Sequence, residues 1–196
     1  MRRRWLVMTL TILLASATLD REPLARAGDD FKIEEGYTSL FNGKDLTGWK
    51  IGKNGKQPLG GKIEAANKRF EVKDGIIVVN EGRGIIDLYT VKDFDKDFHL
   101  KLEFRAAPRA DSGLYIRGPQ LQVRDYPTVG PYKKLKKFKD GGWNELDVTV
   151  TGTAALCQCN GEVLEKAFKV PAKGGIGLQA ETGKFEFRRI RIKEVP

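Results

Sequence analysis

From residue 69 onward, apolar and polar side chains alternate mostly with a period of two. Phe98, Leu100, Leu102 and Phe104 are interleaved with His99, Lys101, Glu103 and Arg105, the signature of a strand with one buried face. Arg69-Phe70-Glu71-Val72 and Ile76-Ile77-Val78-Val79 flank Lys73-Asp74-Gly75, which predicts a hairpin. Asp147 to Thr151 alternates through Val148 and Val150. Cys159-Asn160-Gly161-Glu162 is the strongest turn signal, because Asn-Gly readily takes the positive φ values of a type I′ turn. Phe185, Phe187, Ile190 and Ile192 predict a closing strand whose apolar phase slips at Arg188-Arg189, the mark of a bulge or bend. In all, roughly ten or eleven short strands separated by turns, and no amphipathic helix, predict an all-β antiparallel two-sheet sandwich or barrel. Residues 50–68, with Gly52-Lys53-Asn54-Gly55-Lys56 and Gly60-Gly61, read as a long polar surface loop. No repeat or inter-domain linker is visible.

Composition sharpens this picture. The chain has 196 residues, 40% of them hydrophobic, enough for a real core and too many for a disordered chain. Two Cys exclude a disulfide framework, and the single His99 excludes a multi-histidine metal cluster. The net charge of +9 divides unevenly. Residues 1–27 have the form of a secretory signal peptide: Arg2-Arg3-Arg4, then an apolar run from Trp5 to Ala17, then Ala25-Arg26-Ala27 as a cleavage site. That run is shorter than the roughly 20 apolar residues a membrane span needs. The expectation is one domain over 28–196, exported to the periplasm or exterior after cleavage and not held in a membrane. It carries 30 basic against 24 acidic side chains, or +6.

Several segments in order carry a family resemblance. Gly36-Tyr37-Thr38-Ser39-Leu40-Phe41-Asn42-Gly43-Lys44-Asp45-Leu46-Thr47-Gly48-Trp49 closely resembles the opening motif of the 3-keto-disaccharide hydrolase family, also described as 3-keto-glucoside lyase/3-keto-glucal hydratase. Asp97-Phe98-His99-Leu100 through Arg105, Asp111-Ser112-Gly113-Leu114-Tyr115-Ile116-Arg117-Gly118, Gln122-Val123-Arg124-Asp125, Trp143-Asn144, Asn160-Gly161, Gly177-Leu178-Gln179 and Phe187-Arg188 follow in the family's order. The resemblance spans about 36–194 and implies a concanavalin A-like jelly-roll sandwich acting on carbohydrate. Three positions depart from the family pattern: Gln120 stands where Glu is usual, Glu181 where His is usual and Arg189 where Asn is usual. The lysine-rich stretch between Asp125 and Trp143 also departs. These departures put catalysis in question and favour, as the alternative, a non-catalytic lectin-like module.

The polar faces of the central strands are the expected site. If strands 98–105, 113–117 and 120–124 share one sheet, Glu103, Arg105, Arg117, Gln120 and Gln122 converge on one face. Such a ribbon suits sugar hydroxyls, because guanidinium and amide groups hydrogen-bond in planar pairs. The competing reading is an ordinary solvated face with cross-strand ion pairs. The implied chemistry starts from a sugar oxidised at C3. A base removes the acidified C2 proton while the C1 substituent leaves, and a cation or metal polarises the ketone. Glu103 or Glu181 is then the base and Arg105 or Arg117 the electrophilic partner, although a carboxylate beside arginines is a weak base.

Gln120, Gln122, Asp125, Trp143, Asn144 and Gln179 are the candidate substrate contacts. No cofactor is required by the sequence, but Asp125 and Glu181 could offer oxygen ligands to a divalent metal. Asp111-Ser112-Gly113 reads as a turn entering a strand, and Trp49 as packing. His99 reads as structural. Cys157 and Cys159 share one strand face and are expected as free thiols, since bonding at i, i+2 would be strained. Lys133 to Lys139 holds five lysines, either a solvated loop or a patch for an anionic polymer. Arg188, Arg189, Arg191 and Lys193 could extend that patch. Export argues against nucleic acid.

Overall fold

The computed structural model describes residues 31–124 and 134–195. The expected signal segment, Asp125 and Lys133 lie outside these residues. The described chain forms fourteen strands, more than the sequence pattern shows: β1 (Thr38–Ser39), β2 (Trp49–Ile51), β3 (Glu64–Ala65), β4 (Phe70–Lys73), β5 (Ile76–Val79), β6 (Ile86–Thr90), β7 (Phe98–Ala106), β8 (Asp111–Ile116), β9 (Gln120–Arg124), β10 (Asn144–Thr151), β11 (Ala154–Cys159), β12 (Glu162–Lys169), β13 (Ile176–Ala180) and β14 (Phe185–Glu194). The extra ones are short: β1 and β3 have two residues each and β2 has three, too few for alternation to register. Asp111-Ser112-Gly113 is already strand, not a turn.

Two antiparallel sheets result. One has nine strands in the order β12-β11-β10-β7-β14-β5-β4-β3, with β1 beside the far half of β14. The other has five, β2-β6-β13-β8-β9. Their inner faces meet in one core: Phe98, Leu100, Leu102 and Phe104 of β7 and Phe185 and Phe187 of β14 are fully buried, as are Leu88, Leu114 and Leu178 from the five-stranded sheet. Removing one such aromatic side chain costs about 3–5 kcal/mol.

Local chemistry fixes the registers. In the β4–β5 turn, Asp74 and Gly75 take φ of 50° and 76°, and in the β11–β12 turn Asn160 and Gly161 take 49° and 78°, as type I′ geometry requires. The slip at Arg188-Arg189 is a register shift between β14 and β7, with Arg189 at φ 54°. The opening motif is a folded cap. Asn42 Oδ1 accepts from the Lys44 and Asp45 amides at 2.8 and 3.0 Å. Trp49, fully buried, donates its indole N–H to Leu40 O at 2.8 Å. Residues 50–68 are less loop-like than their composition suggests: β2 and β3 lie within them, and Leu59 is buried with its amide on Trp49 O.

Two buried arginines tie the sheets together through backbone carbonyls. Arg69 donates to Asn80 O (2.7 Å), Gly84 O (3.1 Å), Ala180 O (3.0 Å) and Glu181 O (3.0 Å). It thereby holds the end of β13 against the β4–β5 side. Arg117, 1% exposed, reaches from the end of β8 to Gly152 O (3.0 Å), Pro171 O (3.2 Å) and Lys96 O.

Candidate functional site

The outer face of the five-stranded sheet gathers a set of hydrogen-bonding side chains. Strand register places them. Tyr89 on β6 lies opposite Gly177 on β13, which lies opposite Tyr115 on β8, which lies opposite Gln120 on β9. One row further, Asp87 faces Gln179, and Gly113 faces Gln122. The two glycines are spacers. A Cβ at Gly177 would stand 2.8 Å from the Tyr89 ring, and one at Gly113 would stand 2.1 Å from Gln120 Nε2. Without those Cβ atoms the rings of Tyr89 and Tyr115 meet above β13, centroids 5.2 Å apart, and Gln120 lies across β8 toward Gln179.

A directed set of hydrogen bonds follows. Gln120 Nε2 donates to Gln179 Oε1 at 2.7 Å. Gln179 Nε2 donates to the Tyr115 hydroxyl at 2.9 Å, and Asp87 lies opposite Gln179 on the neighbouring strand. Asp87 Oδ1 is buried with no hydrogen-bond partner. Burial pushes the Asp87 carboxyl above the ordinary aspartate range, a rise that the nearby Tyr115 hydroxyl opposes. Burial, with the Asp87 charge nearby, raises Tyr115 to about 12, so its hydroxyl stays a donor at neutral pH. At the sheet's end Asp111 takes Arg124 through two contacts, 3.0 and 2.9 Å, and accepts from Gln122 Nε2.

The expected convergence of Glu103, Arg105, Arg117, Gln120 and Gln122 does not occur. The strand carrying Glu103 and Arg105 belongs to the nine-stranded sheet, and the strands carrying Gln120 and Gln122 to the other. Alternation tells which residues share a strand face, but not which sheet a strand joins. Glu103 accepts from Arg188 at 2.6 Å and Arg189 at 2.8 Å. Arg105 pairs with Glu186 and lies over the Trp143 ring, centroid distance 4.8 Å, with Arg188 at 3.9 Å. Glu186 is raised by burial, but Lys184 and Arg105 outweigh this and hold it low. Arg117 does not face outward: its positive φ of 55° turns it out of the strand alternation and under the sheets. Asn144 is buried and fixes a turn through Lys139, Gly142 and Asn160. Of the expected residues, Gln120, Gln122 and Gln179 share the five-stranded face, and Glu181 follows β13 beside them.

Asp87, Tyr89 and Tyr115 complete that face. Asp87 and Tyr89 were hidden in Ile85-Ile86-Asp87-Leu88-Tyr89-Thr90, which reads as a buried apolar run. The available signal was one acid in such a run, in phase with a tyrosine.

Elsewhere, His99 accepts or donates at Nδ1 with the Tyr37 hydroxyl at 3.0 Å. Cys157 and Cys159 are free and buried, and burial pushes both thiols up to about 12. The arginines of β14 do not extend a free cationic patch. Arg191, 3% exposed on its side chain, is held by Glu34 and Glu145, and Arg188 and Arg189 are held by Glu103. Among the described residues no three His, Cys, Asp or Glu side chains gather as a metal-binding group. Asp125, one of the two expected oxygen donors, lies outside those residues.

The whole arrangement matches known proteins. A protein from Parabacteroides distasonis ATCC 8503 named as a glycosyl hydrolase is 24% identical, with a TM-score of 0.65 over 83% of this chain and 95% of its own. A second such protein from that organism is 17% identical, TM-score 0.56, over 75% and 99%. The carbohydrate-binding module CBM66 from Bacillus subtilis is 12% identical, TM-score 0.50, over 80% and 100%. These likenesses establish the fold, a jelly roll of the kind found in glycosyl hydrolase-like and carbohydrate-binding domains. No curated protein matches the sequence. The family model for the 3-keto-alpha-glucoside-1,2-lyase-like domain matches residues 36–193, which agrees with the motif resemblance over nearly the same span, and the chain therefore belongs to that carbohydrate-related family.

Proposed function

We propose that this protein cleaves 3-keto-glycosides on the outer face of its five-stranded sheet, with Asp87 as the base. The observation that carries the reading is the Asp87 carboxylate itself: half-buried, one oxygen without a partner, and set beside a ribbon of amide and hydroxyl groups. A base for carbon-bound protons works best when its pKa is lifted toward the operating pH, and burial lifts this one. Glu103 is a poorer choice, since both its oxygens are occupied by the Arg188 and Arg189 guanidiniums.

The chemistry balances without any change of oxidation state. The C3 ketone acidifies C2–H. Asp87 takes that proton, and the electron pair of the C–H bond forms the C1–C2 double bond through an enolate. The C1–O bond breaks, and the departing oxygen leaves as an alcohol after taking up a proton. Water then adds at C1 to the unsaturated 3-keto sugar, and C2 regains a proton. The second amide N–H of Gln120, beside the one given to Gln179, is the donor on this face for a sugar oxygen. Glu181, at its edge, is the second carboxylate available for proton return.

The test is turnover of 3-keto-glucosides by the purified protein, with and without added divalent metal. Asp87→Asn should lower kcat by about 10²–10⁴-fold, the usual worth of a positioned base. An Asp87→Asn protein as active as the parent would remove Asp87 from the mechanism. The reading includes export after residue 27, which N-terminal sequencing of secreted chain beginning at Gly28 would test. A second reading, glycan binding without turnover, is favoured by Gln120, an amide where the family usually carries Glu. It expects saturable binding of sugars and no product in the same assay. The lysine loop adds a surface for an acidic polysaccharide in either case. Glu162, beside it, is occupied by the Lys136 and Lys137 amides at 3.0 and 2.6 Å. Binding there should fall steeply with salt.

A further inference from the structure

The pairing of β13 with β8 slips by one residue at the edge of the polar face. Leu178 lies opposite Leu114. Thr182 lies opposite Asp111, with the Thr182 amide on Asp111 O at 3.1 Å and the Asp111 amide on Thr182 O at 2.7 Å. Four steps along the β13 side therefore match three along β8, which is a β-bulge. On its other side β13 stays in register with β6 as far as Ala180 opposite Ile86. The extra residue thus falls between Leu178 and Thr182, where Glu181 leaves the strand. A bulge bends its strand and re-aims the side chains beside it.

Buried Arg69 holds this bend. Its Nη2 donates to the carbonyls of both Ala180 and Glu181 at 3.0 Å. Successive carbonyls of a regular strand point to opposite sides, so one nitrogen reaches both only where the strand bends. The same guanidinium donates to Asn80 O and Gly84 O, on the segment that leads from β5 into β6, the strand of Asp87. Ser112, fully buried, covers the Gln179 carbonyl at 2.7 Å. The chain enters Arg69 through three successive non-glycine residues at positive φ, Ala66, Asn67 and Lys68, at 51°, 52° and 64°. Such a run persists only where the surroundings fix it. The Glu181 side chain is treated differently from its backbone. It is half-buried and, among the described residues, no ion pair or hydrogen bond holds its carboxylate. Its charge adds to burial and to Asp87 in raising the Tyr115 hydroxyl, which sets it toward the polar face.

We infer that Arg69 is a positioning residue: it holds the β-bulge at the end of β13 and so presents the Glu181 carboxylate to substrate on the polar face. For its catalytic meaning the inference rests on the reading of that face as the site of 3-keto-glycoside cleavage; the pinned bulge itself is measured without substrate. Arg69 meets Glu181 at the backbone carbonyl, so it acts by aiming the side chain. Gly82 keeps room for it: a Cβ there would stand 2.7 Å from Arg69 Cδ and 2.8 Å from Nη1. Gly82 lies outside the left-handed region, so Gly82→Ala leaves its own backbone unstrained and pushes only the end of the Arg69 side chain. It is the mild variant. Arg69→Lys is the stronger one, since an ammonium lacks the planar fork that reaches four carbonyls.

The experiment combines amide hydrogen exchange with steady-state turnover of 3-keto-glucosides by the full chain. In Gly82→Ala and Arg69→Lys the Thr182 amide should exchange about tenfold faster or more, while the amides of β7 in the other sheet keep the parent's rates. The value of kcat should fall by about ten- to 10²-fold, the worth of a small misplacement, and KM should change less. In a Glu181→Gln background, Gly82→Ala should cost no further kcat. Unchanged Thr182 exchange in both variants overturns the pin. Faster exchange with the parent's kcat, or a loss of kcat undiminished in the Glu181→Gln background, overturns the positioning role and leaves Arg69 a structural staple. A parent protein that turns over no 3-keto-glucoside overturns the reaction, and the catalytic role with it. The exchange rates report the pin in either event, so the two failures are distinct.

Discussion

Replacing Arg117 by methionine isolates what one buried guanidinium does. The side chain stacks beneath the sheets with its guanidinium 5.2 Å from the Phe98 ring centroid. It donates to three backbone carbonyls from three loops, at residues 96, 152 and 171. Methionine matches the aliphatic length and leaves those carbonyls unpaired. It also keeps the positive-φ backbone as it is, since neither residue is glycine, so the comparison reports the head group alone. Hydrogen bonds from a charged donor contribute about 1.5–3 kcal/mol each, which sets an upper range of roughly 5–9 kcal/mol for three. Against this stands the cost of burying the charge, visible in the unpartnered Nε and in burial's lowering of the arginine's pKa. A net loss of about 3 kcal/mol is expected, within the range for breaking a buried polar network. For a domain of this size each kcal/mol shifts the melting point by about 2–4 °C, so Arg117→Met should melt roughly 6–12 °C lower. Scanning calorimetry at neutral pH measures it, alongside turnover well below the melting point. A variant melting within about 2 °C of the parent but losing most of its kcat would refute the staple and return Arg117 to the catalytic group.

Other outcomes follow from the same geometry. Arg191 holds the Glu34 carboxyl at about 2, well below the ordinary 4.5. Because this folded-state value is depressed, its stabilisation is present above the unfolded value and is lost as pH falls from about 4.5 to about 2. Thermal melts should show Glu34→Gln less stable than the parent at neutral pH, by a small amount given the exposure of Glu34, with the gap closing across that window. A gap independent of pH would refute the linkage. Gly113→Ala should push Gln120 off Gln179 and destabilise by about 1–3 kcal/mol, read as a lower denaturation midpoint with reduced kcat/KM. Cys157 and Cys159 should both resist a thiol reagent in the native protein and both react in denaturant; fast native labelling of either would contradict their burial.

Much of the fold was legible because its signals are local. Alternation along Phe98–Arg105, the Asn160-Gly161 turn and the slip at Arg188-Arg189 each depend on residues a few positions apart. The site was less so. Glu103 and Gln122 have the same polar-outward phase, and what separates them is membership of different sheets, a property of long-range pairing. Arg117 continues the outward rhythm of Asp111, Gly113 and Tyr115 in sequence, yet one positive-φ residue reverses where it points. Asp87 was concealed by its neighbours: in an apolar strand a lone acid reads as an exception to the pattern, whereas in space it is the centre of one. Gln120, Gln122 and Gln179 were accessible to sequence reasoning because their motif spacing survives in this chain.

The order of strands in the smaller sheet carries one more consequence. Its polar face draws on β6, then β13, then β8 and β9, so residues 87 and 179 become neighbours only after the intervening chain has crossed to the other sheet and returned. Loop-closure entropy delays such distant pairings, and sandwiches of this topology usually fold in milliseconds to seconds. The Asp87–Gln179 contact should therefore form late in folding, with the insertion of β13 between its two partners. Recovery of function on refolding would then report completion of the whole sandwich, and a chain shortened before β13 would lose the site entirely while keeping most of its residues.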